Sequence, residues 1–178
     1  MGLKTPFSTT FNLPDGREVT LETGKLGTQA HGSAVVRMGK TMLFASVVSS
    51  EEKREGLSFF PLSVDYQERF ASFGKIPGNF FRREAKLSDY EVLICRLVDR
   101  AIRPLFDESY RYETQIIINL ISGDGETMPD ALAGLAASTA LACSNIPWQG
   151  PMSEVRVAKI DGAFVVNPER TALANAEV

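Results

Sequence analysis

Residues 114–122 read Thr-Gln-Ile-Ile-Ile-Asn-Leu-Ile-Ser, and this nearly unbroken apolar run constrains the fold more than any other segment. Isoleucine is stiff at χ1 and suits a pleated, extended backbone. A strand that is apolar on both sides belongs inside a sheet, with covering layers to bury it. A cover follows in the chain. Residues from about Met128 to Ser144 read as a helix rich in small side chains: Ala131, Ala133, Gly134, Ala136, Ala137, Ala140 and Ala142. Such a helix can approach a sheet or another helix closely. Thr127 and Asp130 are its expected cap pair.

The first half of the chain is rich in strand signals. Phe7, Thr9, Phe11 and Leu13 alternate, then Pro14-Asp15-Gly16 turns the chain into Val19 and Leu21. Ser33–Met38 and Thr41–Ser49 form a second pair around Gly39-Lys40, followed by a charged loop at 51–56 and a strand over Phe59–Tyr66. Pro61 lacks a backbone N–H and places that strand at an edge or bulge. Residues 67–87 have no period and read as a long loop, a length often tied to function. Ser88-Asp89-Tyr90-Glu91 fits a capping box and opens a helix that ends at Pro104. Its expected buried stripe is Leu93, Ile94, Leu97, Val98, Ala101 and Ile102. Glu154–Ile160 and Ala163–Asn167 make a last hairpin around Asp161-Gly162, and residues 171–178 carry no termination signal. Hairpins, then strand–helix–strand–helix, then a hairpin describe an α+β chain, an α/β sandwich with a mixed sheet.

Composition limits the function. Lys plus Arg is 19 and Asp plus Glu is 22, a formal charge of −3, so bulk charge cannot coat nucleic acid and any polyanion needs a local basic patch. No run of about 18 apolar residues exists to span a membrane, and the N-terminus lacks a secretory pattern. Cys95 and Cys143 have no metal-ligand spacing and read as buried free thiols in a reducing cytoplasm. The single His31 reads as structural. No Walker A loop, dinucleotide fingerprint or Ser-His-Asp set is present, so no catalytic residue and no metal ligand is assigned within the chain.

The chemistry concentrates at Gly78-Asn79-Phe80-Phe81-Arg82-Arg83-Glu84. Two rings offer stacking faces for unpaired bases, worth about 1–3 kcal/mol per base. Two guanidinium groups offer planar forks for phosphates. The alternative use is open at this point: the rings plug the core and the arginines sit in solvent. In the following helix Arg96, Arg100 and Arg103 share a face, with Asp99 able to pair with Arg96 or Arg103. Between Arg82 and Arg103, six basic residues stand against four acidic ones. The turn at 123–130 enters a helix, as phosphate sites do, but Asp124, Glu126 and Asp130 surround it and would repel phosphate.

Phe59-Phe60-Pro61-Leu62, Asp65-Tyr66-Gln67-Glu68-Arg69, Lys75-Ile76-Pro77-Gly78-Asn79-Phe80-Phe81-Arg82-Arg83-Glu84 and Arg96-Leu97-Val98-Asp99-Arg100-Ala101-Ile102-Arg103-Pro104-Leu105-Phe106, with Leu21-Glu22-Thr23-Gly24, closely resemble the bacterial polynucleotide phosphorylases in order and spacing. The resemblance covers essentially the whole chain. It implies the first of two ribonuclease PH-like domains, ribosomal protein S5 domain 2-like in fold, over residues 1–178 and truncated near its C-terminal end. It further implies an enzyme that cleaves RNA from its 3′ end with inorganic phosphate as co-substrate and releases nucleoside diphosphates, reversibly, in mRNA degradation. The implied assembly is a cytoplasmic homotrimer around single-stranded RNA, with RNA-degradation machinery as a further partner and no membrane.

By the same resemblance Phe80, Phe81, Arg82 and Arg83 grip RNA at a channel constriction, and Arg96, Arg100 and Arg103 line the RNA path or support the loop. Mg²⁺ and the phosphate-binding serine turn belong to a second domain, so this piece alone is expected to be inactive. Two other readings stand beside this one. One is an assembly domain of the ring with no RNA contact. The other is a single-domain ribonuclease PH relative, against which the acidic turn speaks.

Overall fold

The computed structural model describes residues 5–54, 56–78 and 86–177. Six strands, β1 (Phe7–Asn12), β2 (Glu18–Thr23), β3 (Gly32–Met38), β4 (Thr41–Lys53), β5 (Leu62–Glu68) and β6 (Tyr112–Ser122), form one mixed sheet in the order β1-β2-β3-β4-β6-β5. All neighbours are antiparallel except β5 with β6. The isoleucine run therefore lies between two partners, but only one of its faces is fully covered: Ile116, Ile118 and Leu120 are buried, whereas Ile117 is half-buried and Ile121 is exposed. β4 runs through Lys53, so part of the expected charged loop is strand, and β5 starts after Pro61 at the sheet's edge.

Among the described residues, three α-helices, α1 (Asp89–Ile102), α2 (Asp130–Ala142) and the single turn α3 (Arg170–Leu173), two 3-10 turns at Phe70–Phe73 and Arg103–Leu105, and the separate hairpin of β7 (Val157–Ile160) and β8 (Ala163–Val166) accompany the sheet. Asp161 and Gly162 both have positive φ, 51° and 78°, which the two-residue turn between β7 and β8 requires. The segment after 170 is not featureless: α3 forms, and Ala176 bridges to Ile160.

α2 packs across β3 and β4, and α1 packs along β5. Val36, Leu43, Val47, Ile116, Ile118, Val98, Ile102, Ala133 and Leu141 meet in the core, all fully or almost fully buried. A Cβ added at Gly32 of β3 would stand 2.1 Å from the Ala140 carbonyl of α2, so helix and strand touch backbone to backbone. The small side chains of α2 make that approach possible.

Three expectations are corrected. The N-cap of α2 is Pro129, without a side-chain cap bond, and Thr127 does not pair with Asp130. Asp124 holds Thr127 instead, and Asp130 is drawn to Arg156. On α1 only half of the expected stripe is buried. Ile94, Val98 and Ile102 face the core, while Leu93 and Leu97 are 66% and 53% exposed and Ala101 is also outward. Packing against one edge strand buries a narrower arc than six positions span. Finally, Cys143 is exposed and Cys95 only partly covered, so neither is a buried thiol.

Candidate nucleic-acid interface

The site grows from the way α1 lies on the free edge of β5. Successive positions four apart on the helix meet that edge in turn. The Glu91 carboxylate accepts the Glu68 amide at 2.8 Å. The Cys95 Sγ accepts the Tyr66 amide at 3.1 Å. Arg103, held by Asp99 at 2.5 Å, donates to the carbonyls of Phe60 and Leu62 at 2.8 and 3.2 Å. A spacing of four residues per step keeps these side chains on one face. They satisfy strand groups that an edge otherwise leaves open to other chains.

The three arginines singled out in the sequence thus divide. Arg103 is spent on β5, and its guanidinium also lies 5.7 Å from the centre of the Phe60 ring. The Phe60 ring in turn meets Phe106 at a tilt and Tyr110 edge-on, with ring centres 4.6 and 5.3 Å away. Arg96 and Arg100 point outward, and among the described residues neither makes an ion pair. With Leu93, Leu97, Cys95, Val64 and Asp99 they line an open groove of about 820 Å³. Asp99 is paired with Arg103, so the unpaired charge on the rim is that of Arg96 and Arg100 over an apolar floor, which suits a phosphate chain with bases attached. Phe80, Phe81, Arg82 and Arg83 lie outside the described residues.

Electrostatics differ at the end of β5. The hydroxyl of the fully buried Tyr66 donates to Glu68 at 2.6 Å, near Tyr90 and Asp130. Burial pushes the Glu68 carboxyl above the usual glutamate range, against the opposing pull of that hydroxyl. Burial likewise pushes the Tyr66 and Tyr90 phenols well above theirs, so both remain protonated near neutral pH.

The acidic turn at 123–130 is occupied by the protein's own groups. Burial alone would raise the Asp124 pKa. The amides of Thr127 and Glu126 and the hydroxyls of Thr127 and Thr41 outweigh that and hold it low. Glu126 accepts from the amide and hydroxyl of Thr171, and Asp130 meets Arg156. The Gly134 amide of α2 is taken by Glu154 at 2.8 Å. Among the described residues no three His, Cys, Asp or Glu side chains gather to hold a metal ion. His31 accepts the Ser49 amide through Nδ1, a structural bond between β4 and the loop before β3. Among the described residues no helix is long and apolar enough to cross a membrane.

The sequence matches the family model described as 3′ exoribonuclease family, domain 1, over residues 15–147. The chain belongs to this family. Its relatives include polyribonucleotide nucleotidyltransferases of Amoebophilus asiaticus, 63% identical over 96% of the chain, and of Cytophaga hutchinsonii, 57% identical over 95%. The chain spans 24% of the length of each. In fold it is similar to a chain of the Archaeoglobus fulgidus exosome with RNA bound to the active site (TM-score 0.66, 16% identity, 93% of this chain and 74% of that one) and to rice Rrp46 (TM-score 0.60, 17% identity, 98% and 73%). The ribonuclease PH-like fold and the mixed sheet expected from the sequence are what the structure contains.

Proposed function

We propose that this chain is the first ribonuclease PH-like domain of a polyribonucleotide nucleotidyltransferase and its grip on single-stranded RNA. In this reading the whole protein removes nucleotides from RNA 3′ ends by phosphorolysis, in the cytoplasm, as a homotrimer. The high identity to enzymes of that name supports it, and the observation that carries the RNA role is the outward pair Arg96 and Arg100 above an apolar groove.

Each group has a defined task. Phe80 and Phe81 stack on bases without reading sequence, because every base has a π-face. Arg82 and Arg83 fork onto phosphates, and Arg96 and Arg100 continue the cationic track. Arg103 serves as support by holding the start of β5. Inorganic phosphate, the nucleophile of phosphorolysis, is assigned to the second domain, because the 123–130 turn here is negatively charged and internally bonded. Mg²⁺, which would neutralise charge developing at the scissile phosphate, has its ligands outside this chain.

The test is a titration of single-stranded RNA into the full-length protein. Phe80→Ala/Phe81→Ala should weaken binding by about tenfold or more, since two stacking contacts are lost. Arg82→Ala/Arg83→Ala should weaken it and flatten its salt dependence, because fewer counterions are released. Unchanged affinity and unchanged salt slope would end the RNA-grip reading. A second reading is favoured by the exposure of Leu93 and Leu97 beside the arginines: the same face is a ring contact. Arg96→Glu/Arg100→Glu that alters oligomer size without altering RNA affinity would decide for it.

A further inference from the structure

We propose that Glu91 is a positioning residue that clasps together the two stems of the segment carrying Phe80–Arg83. This rests on the RNA-grip reading for its consequence, but its geometry stands alone. The connection that carries this segment leaves β5 at Glu68, makes a short 3-10 turn over Phe70–Phe73 whose Ser72 carbonyl accepts the Gly123 amide, and returns at Ser88, the N-cap of α1. A single carboxylate receives both ends. Glu91 Oε1 accepts the Glu68 amide at 2.8 Å, and Oε2 accepts the Ser88 amide and the Ser88 hydroxyl, each at 2.7 Å. The Ser88 hydroxyl in turn accepts the Glu91 amide at 3.3 Å.

A capping box needs only the bonds to Ser88. The bond to Glu68 is additional, and it joins residues 23 apart in the chain. Glu91 is 9% exposed, so both ends bind a carboxyl group that water scarcely reaches. Leaving partly buried amide donors unpaired is costly, which makes the bonds hard to give up. The end of β5 and the start of α1, the two ends of the connection, are therefore fixed relative to each other. Fixing the stems reduces the conformational freedom that must be lost when RNA is gripped.

The experiment compares Glu91→Gln with Val36→Ala in the full-length protein. A glutamine has one acceptor oxygen, so it cannot receive amides on both sides. Val36 is fully buried in β3, away from the stems, and its truncation costs stability without touching the clasp. If Glu91 positions the segment, Glu91→Gln raises the KM for single-stranded RNA about tenfold, the loss of roughly one strong contact, with kcat at saturating RNA unchanged. Val36→Ala leaves KM unchanged at an equal or greater fall in Tm. Amide hydrogen exchange at Glu68 and Ser88 should accelerate together in Glu91→Gln and in neither position in Val36→Ala.

Equal KM for the two variants, or acceleration at Ser88 alone, would overturn the proposal and leave Glu91 as an ordinary helix cap. The Phe80→Ala/Phe81→Ala arm keeps the two readings apart. If it binds RNA normally, the grip reading fails and the exchange data alone decide the clasp. If it loses affinity while Glu91→Gln does not, the grip stands and the clasp falls.

Discussion

α1 and α2 lie against the same sheet, yet they are built on opposite principles. α2 is buried around most of its circumference, from Asp130 to Leu141, and its side chains are small enough for the Ala140 carbonyl to meet Gly32. α1 commits one row, Ile94, Val98 and Ile102, to the core. It spends a second, Glu91, Cys95 and Arg103, on the edge of β5, and leaves Leu93, Arg96, Leu97 and Arg100 outward. The contrast teaches that helix content alone does not locate function in this fold. The helix with unspent positions is the one with something left to bind.

The sharpest way to break this contrast is to truncate one leucine on each helix. Leu141→Ala, in a site with no exposure, should cost about 2–5 kcal/mol of unfolding free energy. Leu97→Ala should change stability by no more than about 0.5 kcal/mol, as exposed positions do. Denaturant melts of the two variants measure this, and equal losses would mean that the outer row of α1 is covered.

Next in size is Gly32→Ala, which should cost about 1–3 kcal/mol through overpacking against α2. An Ala at exposed Val92 on α1 has no comparable cost, and a Gly32→Ala protein as stable as the parent would refute the close approach.

A smaller effect, that of pH, is shared by the two helices. Glu68 beside the start of α1 and Glu154 on Gly134 of α2 both have folded pKa values raised above 4.5, in each case chiefly by burial. The folded state holds their protons more tightly than the unfolded chain does. Their contribution is therefore fully present below 4.5 and is lost as pH rises through the folded values. Tm followed upward from pH 4.5 should fall less steeply in Glu68→Gln and in Glu154→Gln than in the parent. An identical slope would show that these carboxyls ionise normally.

The smallest effect is chemical. A thiol reagent should label the exposed Cys143 at the end of α2 before Cys95. The Cys95 thiol is pushed up in pKa mainly by desolvation and accepts the Tyr66 amide. Mass spectrometry at early times reads the order.

Much of this fold is legible in the sequence, and the illegible parts share a cause. The interior position of β6 in the sheet and the close packing of small-residue α2 follow from composition, although the second face of β6, with Ile117 and Ile121, is left partly open. The Ser88–Glu91 box is local and could be read directly. The outward turn of Leu93, Leu97 and Ala101 could not, because a helix period reveals which residues share a face but not how wide an arc its neighbour covers. Arg96, Arg100 and Arg103 likewise share a face in sequence. Only the carbonyls of Phe60 and Leu62, distant in the chain, tell Arg103 from the other two. The pairing of Asp130 with Arg156 in place of a cap with Thr127 is non-local in the same way. As to the site, the aromatic and arginine tetrad is visible in sequence, whereas the Glu91 bond to Glu68 joins two segments that no local pattern relates.

The strand order carries a consequence for biosynthesis. β6 fits between β4 and β5 although both precede it in the chain. A nascent polypeptide emerging at about 5–20 residues per second therefore exposes two unpaired strand edges for several seconds before the piece that joins them arrives. α1 is made in that interval, and its side chains can guard the outer margin of β5 at once. The inner margins have no such guard, so the isoleucine run is the latch whose arrival ends the exposure of newly made molecules to clumping.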